Sequence, residues 1–250
     1  MRRWWRLARS GASGPARRRH TVGMSTELEL RLAIPAAAAG AVAAHVAALP
    51  GARTVPLRAT YFDTASSALG RAGWGLRLRW EGEAGWVQTI KGPLMADGLS
   101  RPEHNAARGT AAERPALDMH AHDALPEAAA LLAGVPSPLL PQFGTEIERL
   151  RAQRTLAGGT RVELALDRGH LLGGSASAPV CELELEWLDG PLAPLWAEAE
   201  RLVRAHGLVL EPRSKAARGH ALARGEAVPP ADWASVDATL AAISDWARSA

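Results

Sequence analysis

Residues 26–34 read TELELRLAI, and this stretch decides the fold because apolar and polar residues alternate along it. Successive side chains of a β-strand point to opposite faces, so the alternation predicts a strand with one buried face. The opposite face carries Glu27, Glu29 and Arg31, which brings two like charges and one opposite charge side by side. Such a face is either screened by water or built to hold a charged ligand.

Length and charge bound the class of protein. A chain of 250 residues, of which 47% are hydrophobic, is long enough for one good core and predicts a single domain. The net charge of +3 depends on a cluster of arginines within residues 1–23, without which the chain is close to neutral or acidic. Charge-driven binding of nucleic acid is therefore not expected.

The two ends of the chain and its one cysteine indicate compartment and boundaries. Cys181 alone excludes an internal disulfide and a cysteine-based zinc site, which fits a cytoplasmic location. No apolar run is long enough to span a bilayer, so no membrane contact is expected. Residues 1–23 lack the apolar segment of an export signal and are interpreted as a disordered basic extension or a mis-assigned start. The predicted domain covers residues 24–222, and residues 223–250 form a helical tail.

Further segments resemble the first one. Seven more stretches are rich in strand formers, among them GLRLRW at 75–80 and CELELEW at 181–187. Helices are predicted over residues 35–50, near 125–133, over 191–207, and in the tail, with Asp232 as the tail helix cap. Residues 210–225 are interpreted as a short final strand or loop. About eight turn-linked strands without regular βαβ alternation predict an α+β fold, most simply a closed or nearly closed antiparallel barrel.

The polar faces of these strands are almost wholly ionisable. One explanation is a solvated face whose ion pairs each contribute a few tenths of a kcal/mol. The apolar faces, however, include Trp80, Trp187 and many leucines, which need covering helices on the outside and so direct the charges inward. A lumen lined by both arginine and glutamate suits a polyphosphate carrying Mg²⁺ or Mn²⁺, because that ligand supplies both charges.

ELELRL resembles the N-terminal Glu-x-Glu-x-Lys signature of CYTH-domain proteins, the triphosphate tunnel metalloenzymes. YFDT, AGWGLRLR, WVQTIKG, SRPEH, RVELALDRG, CELELEW and PRSKAARG follow in the family's order, so the resemblance covers about residues 27–220. It implies an eight-stranded antiparallel β-barrel that forms a tunnel, with covering α-helices. Members of the family hydrolyse inorganic triphosphate, thiamine triphosphate or RNA 5′-triphosphate ends, or cyclise ATP.

The resemblance also implies roles for individual residues, with Mg²⁺ or Mn²⁺ as the cofactor. The implied catalytic residues are Glu29, Arg31, Glu103, Glu163 and Asp167. The last three would lie on the other side of the lumen, near a second metal and the attacking water. For these three, a role in ion pairs that organise the tunnel is an equal alternative. The implied metal ligands are Glu27, Glu29, Glu182 and Glu184. The implied phosphate-binding residues are Arg31, Arg77, Arg79, Lys91, Arg101, Arg149 and Lys215.

One departure concerns Arg31, which stands where the family has lysine. Arginine keeps the positive charge but practically never deprotonates, so it would serve phosphate binding and fail as a proton acceptor. The sequence most resembles the inorganic triphosphatase branch. A thiamine triphosphatase or adenylate cyclase of the same family, or a non-catalytic polyphosphate-binding module, stays open. Trp74 or Trp86 could form an aromatic platform for an organic group, although packing explains both.

The histidines offer no competing site in the sequence. His120 and His122 stand two apart between Asp118 and Asp123, in a segment with weak periodicity. We interpret this segment as an exposed loop rather than a metal site.

Overall fold

The fold is built from long antiparallel strands that follow the predicted alternating segments. The computed structural model describes residues 24–135, 138–229, 231 and 235–249, so the predicted basic extension at 1–23 lies outside the described residues. The strands are β1 Met24–Ala33, β2 Arg53–Asp63, β3 Gly75–Trp80, β4 Trp86–Lys91, β5 Ser100–Ala107, β6 Leu140–Thr155, β7 Arg161–Gly173, β8 Ala176–Asp189 and β9 Val209–Leu210.

Eight of these strands close into a barrel. Their order is β5-β4-β3-β2-β6-β7-β8-β1, and a further antiparallel pairing of β1 with β5 closes the sheet. The two-residue β9 adds to the end of β1, where Leu32 pairs with Leu210. The predicted eight-stranded antiparallel barrel is therefore confirmed, and its closure removes the exposed sheet edges.

The predicted helices at 35–50, 125–133, 191–207 and the tail are confirmed, with shifted ends. Asp232 lies outside the described residues; Ser235 accepts a hydrogen bond from the amide of Ala238 and caps the tail helix. Within the described part of the chain, no helix has the length and apolar character needed to cross a membrane. The helices are α1 Ala39–Ala47, α2 Ala68–Arg71, α3 Pro126–Gly134, α4 Ala193–His206, α5 Lys215–Ala223 and α6 Val236–Ser249.

Two apolar clusters cover the outside of the barrel. The larger one joins outward leucines of β1, β7 and β8 to α1, α4 and α6, and it includes the buried Trp196 of α4. The smaller one joins Leu76, Leu78 and Ile90 to α3, and Trp86 belongs to it. Because successive side chains alternate between faces, burying the leucines outside turns the charged residues toward the space enclosed by the strands, which we call the lumen.

The prediction of a strand or loop over residues 210–225 was wrong for most of that segment, which forms α5. Ser214 accepts a hydrogen bond from the amide of Ala217 and caps the helix, and alanine-rich sequence continues it. Leu222 packs in one cluster with Leu57 and Ile147, whose side chains line the lumen. α5 thus enters one end of the barrel and carries Lys215 inside.

The YFDT stretch is followed by a turn that the side chain of Asp63 organises. The buried Asp63 carboxylate accepts hydrogen bonds from the amides of Leu69 and Gly70, both at 2.9 Å, and from Thr64 at 2.7 Å. The bonds from Leu69 and Gly70 satisfy two amides of the short helix α2. Asp63 therefore has a structural role at the end of β2.

The prediction of an exposed loop was wrong for His122, which is fully buried. Its Nδ1 lies 2.9 Å from Nδ1 of His104 on β5, and its Nε2 lies 3.1 Å from the side-chain nitrogen of Gln88 on β4. Weak periodicity hid this contact because a single residue, rather than a face, anchors the segment. His120 is exposed as predicted.

Stability should fall in mild acid because of His122. Burial and, to a smaller extent, the neighbouring His104 lower the pKa of His122 from 6.5 to about 4. Between these values the unfolded chain binds a proton that the folded chain does not, so up to about 3 kcal/mol is lost as the pH falls through this range. Urea unfolding from pH 4 to pH 7 should show a shallower pH slope for His122→Gln than for the unchanged protein; equal slopes would contradict the assignment.

A second stability prediction concerns Gly219 in α5. A Cβ at this position would lie 2.1 Å from the ring of Phe143, and that ring is stacked on Tyr61 at 4.4 Å. Gly219→Ala should therefore lower the free energy of unfolding by about 1–3 kcal/mol. Gly40→Ala is the matched control, since its Cβ meets nothing within 4 Å and alanine favours the helix. Urea unfolding should separate the two variants, and equal stability would refute the packing of α5.

Candidate active site in the barrel lumen

The lumen holds a cavity of about 420 Å³ lined mainly by charged side chains. A volume of this size suits a small ligand. Of the predicted site residues, Glu182 is absent from the lining and lies behind Lys215. The predicted residues that line the cavity are Glu27, Glu29, Arg31, Arg77, Arg79, Lys91, Arg101, Glu103, Arg149, Glu163, Asp167, Glu184 and Lys215.

The wall formed by β1, β4 and β5 carries a compact ion-pair group. Both Glu27 oxygens lie 2.6 Å from Lys91 Nζ, and Arg101 Nε donates to Glu27 at 3.0 Å. Lys91 also lies 3.3 Å from Glu103. Burial alone would raise the pKa of Glu103, but Lys91 and Arg77 lower it to about 2. These carboxylates are therefore ionised at neutral pH.

A second group surrounds Lys215 at the start of α5. Asp167, Glu182 and Glu184 place carboxylate oxygens within 4.8 Å of one another, which by itself resembles a metal site. Lys215 Nζ, however, lies 2.6 Å from both Asp167 and Glu184 and contacts Glu182. Burial alone would lower the pKa of Lys215, but the three carboxylates raise it well above its usual value. The ammonium thus neutralises this cluster.

Two arginines complete the neutralisation. Arg149 on β6 binds both oxygens of Asp167 at 2.6 Å and contacts Glu184. Arg218, one turn after Lys215, contacts Glu182. The sequence analysis missed Arg218, because its role depends on α5 being a helix that enters the barrel.

Arg79 and Glu163 differ in how strongly neighbouring side chains bind them. Arg79 Nε donates to Glu81 at 2.7 Å, so its charge is already partnered. Glu163 on β7 has only long contacts, 3.4 Å to Arg151 and 3.5 Å to Gln153. Its oxygens therefore keep capacity to accept a proton or a hydrogen bond.

Arg77 is the free cation of the lumen. Within the described residues, it is the cavity-lining cation without a carboxylate in ion-pair distance; its Nη1 donates to the Tyr61 hydroxyl at 3.2 Å and its buried Nε has no partner. Burial would raise the pKa of Tyr61, but Arg77 lowers it. A buried guanidinium with unused donors is suited to phosphate oxygens.

Glu186 is the free acid of the lumen, and the sequence analysis did not assign it a role. It lies directly opposite Glu29 on β1 and Glu163 on β7, and it forms no ion pair or hydrogen bond with any described residue. Burial and the charges of Glu27 and Glu163 raise its pKa to about 8. Opposed residues of antiparallel strands have Cβ atoms about 4.5–5.5 Å apart, so these carboxylates repel one another.

Family comparison agrees with this geometry. A model of the CYTH domain matches residues 25–220, which is most of the chain. The chain belongs to the CYTH domain family. The barrel is thus the CYTH fold, as the ordered motifs from ELELRL to PRSKAARG predicted.

The chain is also similar to one curated protein and to one solved structure of the same fold. The inorganic triphosphatase of Haemophilus influenzae is 26% identical over 171 residues, which cover 65% of this chain and 45% of that protein. The chain therefore spans less than half the length of this relative. A solved structure of a candidate adenylate cyclase from Bacillus halodurans has a TM-score of 0.54 at 19% identity, over 77% of this chain and 95% of that one. This likeness supports the fold.

The acidic residues of this CYTH lumen fit a hard divalent cation. Glu27, Glu29 and Glu186 carry carboxylate oxygens, the ligands that Mg²⁺ and Mn²⁺ prefer. Lys91 and Arg101 bind Glu27, and Arg31 binds one oxygen of Glu29, so Glu186 is the member of this set without an ion pair among the described residues. Burial and the neighbouring carboxylates raise the pKa of Glu186, and a bound cation would offset both effects. The Asp167, Glu182 and Glu184 cluster fits less well, because Lys215 already occupies its centre.

Proposed function

We propose that the lumen hydrolyses inorganic triphosphate to pyrophosphate and phosphate in a metal-dependent reaction. The observation that carries this proposal is a free cation, Arg77, and a free acid, Glu186, on opposite walls. Their strands β3 and β8 are four places apart in the eight-stranded barrel. A triphosphate with a divalent cation satisfies both, because its oxygens bind the guanidinium and its metal binds the carboxylate.

The metal would be held by Glu27, Glu29 and Glu186. When bound, Mg²⁺ or Mn²⁺ supplies charge neutralisation of phosphate oxygens and a lower pKa for water. Glu184 is available as a further ligand if Lys215 moves toward phosphate. Glu182 keeps a supporting role, since Lys215 and Arg218 hold it behind the cavity.

The chain's own residues position and neutralise the substrate, which is most of what phosphoryl transfer needs. Arg77, Lys215 and Arg149 bind phosphate oxygens. Glu163, whose own contacts are long, accepts a proton from the attacking water as the oxygen of that water bonds to the terminal phosphorus. The bond from this phosphorus to its bridging oxygen breaks, and pyrophosphate leaves.

Inorganic triphosphate is favoured because it needs nothing beyond the charged lumen. Of the two tryptophans that the sequence suggested as platforms, Trp86 is buried in the outer cluster, whereas Trp74 both packs there and lines the cavity. Thiamine triphosphatase, adenylate cyclase and non-catalytic polyphosphate binding are the competing functions. A triphosphatase with one cysteine also suits the reducing cytoplasm.

A substrate panel tests the proposal. Tripolyphosphate, thiamine triphosphate and ATP are each incubated with the protein and Mg²⁺ or Mn²⁺, and phosphate, pyrophosphate and cyclic nucleotide are measured. We expect the highest kcat/KM for tripolyphosphate. A higher value for either organic substrate would assign that substrate instead, and tight binding of tripolyphosphate without turnover would assign the non-catalytic module.

A further inference from the structure

Arg31 uses its two terminal nitrogens to contact protein atoms on two different segments. Its side chain is only 10% exposed. Nη1 donates to Glu29 Oε1 at 2.6 Å, and Nη2 donates to the backbone oxygen of Pro212 at 3.0 Å. Both terminal nitrogens are therefore engaged by protein atoms, and the buried Nε has no hydrogen-bond partner among the described residues.

The two partners belong to different parts of the lumen. Glu29 lies beside Arg31 on β1 and faces Glu186 on β8. Pro212 lies two residues before Ser214, the cap of α5, and three before Lys215. The backbone of Arg31 adds a second link, because its oxygen accepts a hydrogen bond from the amide of Glu211 at 3.0 Å.

We propose that Arg31 is a positioning residue that fixes Glu29 relative to the start of α5. This inference rests on the proposed function, because Glu29 is assigned to the metal and Lys215 to phosphate. Through its two nitrogens, Arg31 sets the separation of these groups. The planar guanidinium makes both bonds at once in a fixed geometry.

A lysine at position 31 would not reproduce this link. Lysine has a single side-chain nitrogen, and that Nζ lies one atom closer to the backbone than the Nη atoms of arginine. It can hold Glu29 as a cation, but holding Pro212 at the same time would draw it away from that carboxylate. Arginine in place of the family lysine thus provides an anchor for residues 211–215.

Hydrogen exchange tests the anchor without any metal, substrate or turnover. In Arg31→Lys, amides of residues 211–218 should exchange faster than in the unchanged protein, while the amides of the outer helix α4 keep their rates. Arg154→Lys is the matched control, since Arg154 contacts Glu198 on α4 outside the lumen. Unchanged exchange over residues 211–218 in Arg31→Lys would overturn the proposal.

Kinetics provide the second readout. Arg31→Lys should lower kcat about ten-fold, which is the loss typical of mutating a residue that orients a metal ligand. KM for tripolyphosphate should stay within about two-fold of its value in the unchanged protein. Guanidinium, far below unfolding concentrations, should restore part of the lost kcat in Arg31→Ala, whereas methylammonium should not. A raised KM with unchanged kcat, or equal rescue by both cations, would instead make Arg31 a simple phosphate ligand. If the unchanged protein lacks turnover, the proposed function fails, and the exchange comparison still decides the role of Arg31.

Discussion

Replacing Glu29 by glutamine is expected to lower metal-dependent turnover of triphosphate by about 100-fold or more. The substitution keeps the shape of the side chain and removes one of the carboxylates assigned to the cation. Burial and Glu27 raise the pKa of Glu29, but Lys91, Arg31 and Arg101 together lower it by more. The pKa is therefore below its usual value, and the unchanged residue is ionised at neutral pH. The measurement is kcat as a function of Mg²⁺ and Mn²⁺ concentration, and we expect the metal concentration for half-maximal activity to rise.

The control for Glu29→Gln is Glu148→Gln. Glu148 lies on β6, and its side chain is exposed on the outside of the barrel. Its replacement by glutamine therefore removes the same charge from the chain without changing the lumen. We expect unchanged turnover and metal dependence for this variant. Full turnover in Glu29→Gln, with the fold intact by circular dichroism, would remove Glu29 from the metal site.

Replacing Arg77 by methionine should mainly weaken substrate binding. Methionine keeps a long apolar stem and removes the free guanidinium of the lumen. A hydrogen bond to a charged group contributes about 1.5–3 kcal/mol, so KM for tripolyphosphate should rise between about 10- and 150-fold. Arg77→Lys should recover only part of the loss, because an ammonium lacks the planar fork that binds two phosphate oxygens.

The control for Arg77→Met is Arg58→Met. Arg58 is exposed on the outer face of the neighbouring strand β2, so the net charge of the two variants is the same. Steady-state kinetics should give an unchanged KM for Arg58→Met. If both variants raise KM equally, the effect comes from the overall charge of the protein and the assignment of Arg77 fails.

Strand periodicity made the barrel predictable. In TELELRLAI the side chains of Leu28, Leu30 and Leu32 share one face, and that face packs under helices as the pattern indicated. The position of α5 was harder to predict. Ser214 and the following alanines are compatible with a helix, but they do not indicate where in the fold that helix packs. Only the packing of Gly219 and Leu222 against inward residues of the barrel decides that α5 enters it.

The same limit applies to the acidic run on β8. Glu182, Glu184 and Glu186 share one face, so periodicity treats them alike. Strand register separates them: Glu186 lies opposite Glu29 and Glu163, whereas Glu182 lies opposite Asp167. Lys215 and Arg218, both on α5, then neutralise Glu182, whereas no described residue forms an ion pair with Glu186. A residue's place in the run could therefore be predicted, but its electrostatic environment could not.

Phosphorus NMR of tripolyphosphate during incubation with the protein tests the central claim most directly. With Mg²⁺ or Mn²⁺, the triphosphate signals should be replaced by equal amounts of orthophosphate and pyrophosphate. Excess EDTA should stop this conversion, and added metal should restart it. In ¹⁸O-labelled water the label should enter orthophosphate alone, as attack on the terminal phosphorus requires. Persistence of the triphosphate signals with metal present, or conversion that continues in EDTA, would contradict a metal-dependent triphosphatase in this lumen.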